Sequence, residues 1–336
     1  MKKLVKKNPD ISVEQFIRGI EKGERVLLAQ AITLVESNAK QHFEKAQKII
    51  EALLQKNNST IRIGITGVPG AGKSTFIDSF GTYLCELGYR VAVLAIDPTS
   101  QVSKGSIMGD KTRMERLSKH PNAYIRPSPS GGYLGGVSRK TRESIILCEA
   151  AGYNIILVET MGVGQGEFVV REMVDFFLLL VLTGAGDELQ TMKKGIMELP
   201  DLVVVNKADG ENVSRANKAK SEYNSILHFL TSYTKDWETR AVTASALEEK
   251  GIAEVWKIIK DFENQTKKSN LFYQRRSEQQ LNWLHDLLKQ ELSRNFYDHP
   301  MIKEKIIKAE QTVKSGTKHV SSTALELVNL FMENKL

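Results

Sequence analysis

The chain has 336 residues, with 47 Lys and Arg against 40 Asp and Glu, a formal charge of +7 at pH 7, and 41% hydrophobic and 26% charged residues. That composition is ordinary for a globular protein, and the length exceeds one compact domain, so a core with helical additions is expected. The most apolar run, 176–182, is far too short to span a bilayer, and the basic N-terminus lacks the apolar core of a secretion signal. The positive charges are interleaved with acids, as where Arg215, Lys218 and Lys220 stand beside Glu211 and Glu222. With no recognition helix, zinc finger or RNA-stacking motif, neither nucleic acid nor membrane is expected as a partner. Cys85 and Cys148 have no C-x-x-C spacing and read as small buried hydrophobes in a reducing cytoplasm.

In chain order, 12–55 carries helical apolar spacing, as at Leu27, Ala31, Leu34 and Val35, and ends at the polar linker Asn57-Asn58-Ser59-Thr60. Continuous apolar runs at 61–66, 90–96, 154–159, 175–182, 201–206 and 239–243 follow, with helical patterns between most of them. Unbroken runs of this kind mark strands covered on both faces, so the fold class is α/β, a doubly wound and mostly parallel sheet that binds ligands at the carboxyl ends of its strands. A second polar stretch, 264–270, precedes a C-terminal arm in which Leu281, Leu284, Leu288 and Leu292 form one stripe and Ile302, Ile306, Ala309 and Val313 another. Gly316 is expected to end a helix before Ser321 or Ser322 starts the next. The division expected is an N-terminal helical extension at 1–57, a nucleotide-binding domain at 58–266 and a C-terminal arm at 267–336. The arm's stripes either pack on their own core or hold a homodimer, and the second reading is preferred.

Two short words carry the chemistry. Gly67-Val68-Pro69-Gly70-Ala71-Gly72-Lys73-Ser74 matches G-x-x-x-x-G-K-[ST] between a strand pattern and a helical one at 74–87. Such a loop surrounds a polyphosphate with backbone N–H groups, while Lys73 adds a charge near the β/γ-phosphates and the Ser74 hydroxyl reaches Mg²⁺. Thr75 is assigned to the same site. Asn206-Lys207-Ala208-Asp209 matches N-K-x-D at the end of another strand. The Asp209 carboxylate can accept both N1–H and the 2-amino group of guanine, donors that adenine lacks. Ser245, Ala246 and Leu247, just past the last predicted strand, are assigned to the nucleotide as well. Together and in this order, the two words predict a GTPase.

The metal and the γ-phosphate need further groups. Asp97 ends one predicted strand, Asp110 follows in Gly109-Asp110-Lys111-Thr112-Arg113, and Glu159 ends another strand. A lone carboxylate at such a place is ordinarily a helix cap or a solvated turn. Three at strand-end or switch positions of one sheet are read with Ser74 as a Mg²⁺ site. Gly162, three residues after Glu159, is placed to offer its N–H to the γ-phosphate. Gln165 is a candidate for positioning the attacking water, and Arg113 or Lys111 for transition-state charge.

Longer stretches resemble one family. Residues 93–100, 105–114, Glu159-Thr160-Met161-Gly162-Val163-Gly164-Gln165, Gly184-Ala185-Gly186-Asp187-Glu188-Leu189-Gln190 and Gln279-Gln280-Leu281-Asn282-Trp283 are similar to the MeaB/ArgK family, over a range from about Arg25 to the C-terminus. These are G-protein chaperones of adenosylcobalamin-dependent acyl-CoA mutases, including methylmalonyl-CoA mutase. The resemblance implies a P-loop NTPase core of the SIMIBI type, GTP, GDP and Mg²⁺ as ligands, and a homodimer held largely by the C-terminal arm. It also implies slow GTP hydrolysis stimulated by the mutase, and gating of cofactor loading that protects the mutase. It places Lys73 and Ser74 on phosphate and metal, Asp97, Asp110 and Glu159 around the metal, and Asn206 and Asp209 on guanine; 184–194 matches the family's extra segment that couples nucleotide state to the partner. Met161, Gly166 and Thr183 depart from the family's pattern, where a smaller apolar residue, a serine and a proline are expected. Two other readings share the core: a kinase linked to amino-acid (arginine/ornithine) transport, and a nickel-delivery GTPase, which six scattered histidines do not favour.

Overall fold

The computed structural model describes residues 11–54, 60–96, 113–127, 134–160, 166–183 and 194–333. Its centre is the run Ile61–Gly67 (β1), which pairs in parallel with Ile155–Thr160 (β4) on one side and Phe176–Val181 (β5) on the other. Beyond β4 lie Val91–Ile96 (β2) and then Ala123–Arg126 (β3); beyond β5 lie Leu202–Val205 (β6) and Arg240–Thr243 (β7). All pairings among these strands are parallel, so their carboxyl ends share one edge of the sheet. β1 stands where the connections part. The chain leaves it for β2 and β3, returns to β4, then crosses to β5, β6 and β7. That parting is where a doubly wound sheet opens a crevice for ligands.

Side chains alternate between two buried layers. Ile63, Ile65, Phe176, Leu178 and Leu180 share one core with Phe76 and Phe80 of Lys73–Glu86 (α4) and Trp256, Ile259 and Phe262 of Ile252–Lys268 (α9). Ile156, Val158 and Phe177 face the other core. There they meet Leu134–Ala150 (α6) and three helices at the N-terminus, Val13–Glu21 (α1), Arg25–Glu36 (α2) and Lys40–Leu53 (α3). The stripe expected at 12–55 therefore packs within its own chain: Leu28, Ala31, Ile32 and Val35 are buried. A third cluster joins Leu179, Val181, Val203 and Val205 to Ala216, Ala219 and Tyr223 of Val213–Leu227 (α8). Two further, short helices are Glu115–Lys119 (α5) and Gly166–Arg171 (α7).

The six predicted strands are present, each within one or two residues of its expected ends, and β3 is an addition that the sequence pattern did not reveal. Cys85 and Cys148 are free and buried, as expected, and burial pushes the Cys85 thiol up to about 11. The polar stretch 264–270 is helical as far as Lys268, and the chain turns only at Ser269 and Asn270, the latter at φ 63°.

The chain divides into two compact units, Met1–Arg276 and Ser277–Leu336. The helix Leu271–Asp298 (α10) runs across this division, and the second unit continues with Pro300–Lys314 (α11) and Val320–Glu333 (α12). Gly316, at φ 71°, follows α11 as expected. Leu281, Leu284, Leu288 and Leu292 of α10 are all more than half exposed.

The amino ends of the strands carry a buried ionic network within the first unit. Asp175 accepts from the Arg62 backbone N–H at 2.7 Å and from two Arg276 nitrogens at 2.7 and 2.6 Å. The Arg62 guanidinium reaches Glu149 at 2.7 and 2.9 Å. Asp201 accepts from Arg171 Nη2 at 3.1 Å, from the Phe177 N–H at 2.9 Å and from the Thr234 hydroxyl. Burial alone would raise the Asp175 carboxyl, but the Arg276 charge and hydrogen bonds, with Arg62, hold it below its ordinary value. A carboxyl depressed in the folded state contributes stability that is full above its unfolded value, near 3.8, and is lost as pH falls through the folded value. Asp175→Asn should cost about 3–5 kcal/mol in urea unfolding at neutral pH, because it strands a buried guanidinium. The gap between variant and wild type should narrow as pH is lowered from about 5 toward 2.

Candidate functional site

The glycine loop closes over the carboxyl end of β1. Gly67 has φ 154°, and a Cβ there would lie 2.3 Å from the Leu180 carbonyl oxygen of β5, so only glycine lets the loop leave the sheet at this point. Gly72 sits in the left-handed region at φ 82° as the residue before α4, with no side-chain cap on the helix. The first-turn N–H groups of α4 therefore face the loop without helical carbonyl partners, the arrangement that receives anions. Lys73 curls back over the loop: its Nζ donates to the carbonyls of Gly67 at 2.7 Å and Val68 at 3.2 Å. Burial lowers the Lys73 pKa, against the opposing charges of Glu159 and Glu167.

Ser74 Oγ donates to Glu159 Oε1 at 3.3 Å, which brings the predicted hydroxyl and one of the predicted carboxylates together. Glu159 is buried at the end of β4, and beside it the Thr160 hydroxyl donates to Thr66 Oγ1 at 2.7 Å. These are hard oxygen donors, the type that Mg²⁺ takes, and a pair from the protein leaves room for the phosphate oxygens and waters it keeps. Among the described residues, no cluster of three or more His, Cys, Asp or Glu forms a larger metal cage. Asp97, Asp110, Lys111, Gly162, Gln165 and 184–193 lie outside the described residues. Arg113 and Thr75 are exposed.

The second word lies at the same edge. Asn206 is buried, its Nδ2 donates to the Ala71 carbonyl at 2.8 Å, and its Oδ1 accepts from the Ala246 N–H at 3.3 Å. One amide thus joins the phosphate loop to the loop after β7. Lys207 adopts a left-handed backbone at φ 59°, and the Ala208 N–H donates to the Ala244 carbonyl at 3.0 Å. Asp209 accepts from Ser245 Oγ at 2.6 Å, and that hydroxyl in turn accepts from the Glu248 N–H at 3.0 Å. Ser245 is fully buried and Leu247 is 79% exposed. The carboxylate is held through one oxygen, Oδ2, by a hydroxyl from the neighbouring loop.

Sequence reasoning missed Glu167. It is buried in the first turn of α7, and its charge is felt at Lys73. It stands two residues past Gln165, so the only signal was an acid at the start of a short helix, which is common for dipole reasons alone.

Comparison with known proteins gives the family. Residues 28–301 match the family described as Methylmalonyl Co-A mutase-associated GTPase MeaB. The chain belongs to the MeaB/ArgK family of GTPases. The GTPase ArgK of Escherichia coli K12 is 45% identical over 288 residues, covering 86% of this chain and 87% of that one. A mouse protein named Methylmalonic aciduria type A homolog, mitochondrial, is 45% identical over 314 residues, covering 90% of this chain and 76% of its own length. A solved structure described as LAO/AO transport system kinase superposes with a TM-score of 0.78 at 36% identity, covering 97% and 99% of the two chains. This MeaB/ArgK protein is accordingly a GTP hydrolase that binds guanine nucleotides. Among its described residues, no helix is long and apolar enough to cross a membrane.

The Asn206 amide carries a specific expectation. Asn206→Ala leaves the Ala71 carbonyl and the Ala246 N–H without their shared partner, and should cost about 1–3 kcal/mol of stability. Calorimetric titration should show GDP affinity falling by on the order of tenfold or more, since both the phosphate loop and the base loop lose their tie.

Proposed function

We propose that this MeaB/ArgK GTPase hydrolyses GTP in a Mg²⁺-dependent cycle and gates cofactor loading of an adenosylcobalamin-dependent acyl-CoA mutase, most specifically methylmalonyl-CoA mutase. The observation that carries the mutase is the family match over 28–301, supported by the mouse relative's name. The site geometry supports the division of labour. Gly67, Gly70, Ala71, Gly72 and Thr75 form and extend the phosphate cradle, and Lys73 exchanges its bonds to the Gly67 and Val68 carbonyls for phosphate oxygens. Ser74 and Glu159, with Asp97 and Asp110, hold Mg²⁺, which neutralises charge on the β- and γ-phosphates when bound. Gly162 meets the γ-phosphate, Gln165 orients the water, and Arg113 supplies charge. Asn206 fixes the frame, Lys207 lies beside the base, and Asp209 reads guanine with Ser245, Ala246 and Leu247 closing the pocket.

The partner side rests on the arm and the segments around the γ-phosphate. Exposed Leu281, Leu284, Leu288 and Leu292 support a homodimer through the C-terminal arm, since a stripe of this kind on a helix is normally covered. The division into an extension at 1–57, a GTPase domain at 58–266 and an arm at 267–336 is part of the same proposal, as is a cytoplasmic location.

The kinase reading has one observation in its favour, the description of the solved structure at 36% identity. Radiolabelled γ-phosphate separates the two: a GTPase releases it as inorganic phosphate, a kinase leaves it on an acceptor. Addition of methylmalonyl-CoA mutase should raise the GTP turnover rate and make adenosylcobalamin transfer depend on whether GTP or GDP is present. Unchanged turnover and transfer with a mutase that binds would remove the mutase from the proposal.

The base reading has its own test. Asp209→Asn should lower GTP affinity by roughly 10²-fold or more and shift preference toward xanthine nucleotides, whose 2-oxo group accepts from an amide. Lys73→Ala should weaken GTP and GDP alike, because it removes a charge and its phosphate contact together. Equal wild-type affinity for GDP and ADP would overturn the base assignment.

A further inference from the structure

Neither sequence word includes Asn212 or Thr183, yet the structure ties both to the base-reading loop. Asn212 ends the short 3₁₀ turn Gly210–Asn212, immediately after Asp209. Its backbone N–H donates to the Asp209 carbonyl at 2.9 Å, and its Nδ2 donates to the Lys207 carbonyl at 2.7 Å. Its Oδ1 accepts from the Thr183 hydroxyl at 3.1 Å, two residues past the end of β5. The direction of the amide is not free. Only the NH₂ can donate to the Lys207 carbonyl, so the oxygen must face Thr183, and only a hydroxyl or other donor there satisfies it.

What Asn212 holds is an unusual backbone. Lys207 lies at φ 59°, a region that costs a side-chain-bearing residue on the order of 1 kcal/mol and persists only where surroundings enforce it. The reversal at Lys207 lets Asn206 aim back at the Ala71 carbonyl while Asp209 turns to Ser245. Without it the two side chains would not serve the phosphate loop and the base from one four-residue word. The Asn212 side chain bonds the Lys207 carbonyl and so braces this turn, and Thr183 contacts Asn212 from the loop just past β5.

We propose that Asn212 and Thr183 are positioning residues for base recognition: Asn212 holds the Lys207 turn that presents Asp209, and Thr183 sets the Asn212 amide in the orientation that does so. This rests on the reading of Asp209 as the guanine-reading carboxylate. Thr183 supplies the hydroxyl that satisfies the Asn212 oxygen, and a residue without a side-chain donor there would leave that oxygen without this partner.

The test compares GDP with IDP, whose hypoxanthine lacks only the 2-amino group, by calorimetric titration of the full-length protein. Asn212→Ala should lower GDP affinity by about five- to tenfold and IDP affinity by less, so that the GDP/IDP ratio contracts. Asn212→Asp keeps the size and the acceptor for Thr183 but loses the donor to Lys207, and should behave as Asn212→Ala does. Thr183→Val should contract the ratio by about two- to threefold, and Thr183→Ser should restore it. Thermal unfolding of each variant checks that the fold is retained. An unchanged GDP/IDP ratio in the Asn212 variants overturns the inference, whether affinity falls equally for both nucleotides or not at all. If the wild type fails to distinguish GDP from IDP, the Asp209 reading itself falls and takes this inference with it. Discrimination by the wild type that survives in every variant sinks only the positioning role.

Discussion

One buried amide sets the spacing of the whole site. Asn206 leaves the end of β6 and spans the gap between the Ala71 carbonyl of the phosphate loop and the Ala246 N–H beyond β7. Those loops are anchored on β1 and β7, and the order β1-β5-β6-β7 determines how far apart they stand. The amide can bridge them only if the loop comes close, and Gly72 is part of that approach: a Cβ on it would lie 2.9 Å from Asn206 Nδ2. Glycine in one word and asparagine in the other are thus two halves of one contact. A parallel sheet makes such a contact possible because every strand delivers its carboxyl end to the same edge.

The opposite edge solves a different problem. Strands that begin in the interior expose backbone N–H groups, and here carboxylates meet them: Asp175 accepts from Arg62 N–H, Asp201 from Phe177 N–H. Buried carboxylates need cations, and Arg276 and Arg171 supply them. Pairs of this kind add little net stability over apolar packing, but removing one member is costly because it leaves the other buried without its counter-charge. Short helix α7 connects the two edges. Its first turn carries Glu167, whose charge acts on Lys73, and its last residue is Arg171, bonded to Asp201.

The sequence revealed the sheet readily because its central strands are unbroken apolar runs, such as Phe176–Val181 and Leu202–Val205, and such runs have few alternatives once glycine words bound them. β3 escaped for the complementary reason. Ala123–Arg126 is a four-residue edge strand with every second side chain half exposed, too short to build a period. At the site, local words were legible where chemistry demands fixed spacing, as in the phosphate loop. Contacts made across the fold were not: Asn206 meets a carbonyl 135 positions away, and Thr183 meets Asn212 from 29 positions away. No spacing rule within a window reports a partner whose distance is set by strand order.

Charge balance gives the proposed metal its physical reason. In this structure Lys73 is half-buried, bonded to loop carbonyls, and lies in the field of Glu159 and Glu167. Burial disfavours its charged form and the two acids restore part of that loss, so the described part of the pocket is already supplied with negative charge. A triphosphate entering the same space brings several more negative charges close to those carboxylates. Lys73 alone does not offset both sets, and the N-terminus of α4 contributes only a fraction of a unit charge. On the proposed reading, a divalent cation held by Glu159 and Ser74 would remove the conflict, and the acid that repels the nucleotide would then help to hold it. The same carboxylate would then oppose the nucleotide without the metal and support it with the metal. If Mg²⁺ binds as proposed, the Ser74–Glu159 contact is where nucleotide and cation binding would become one event.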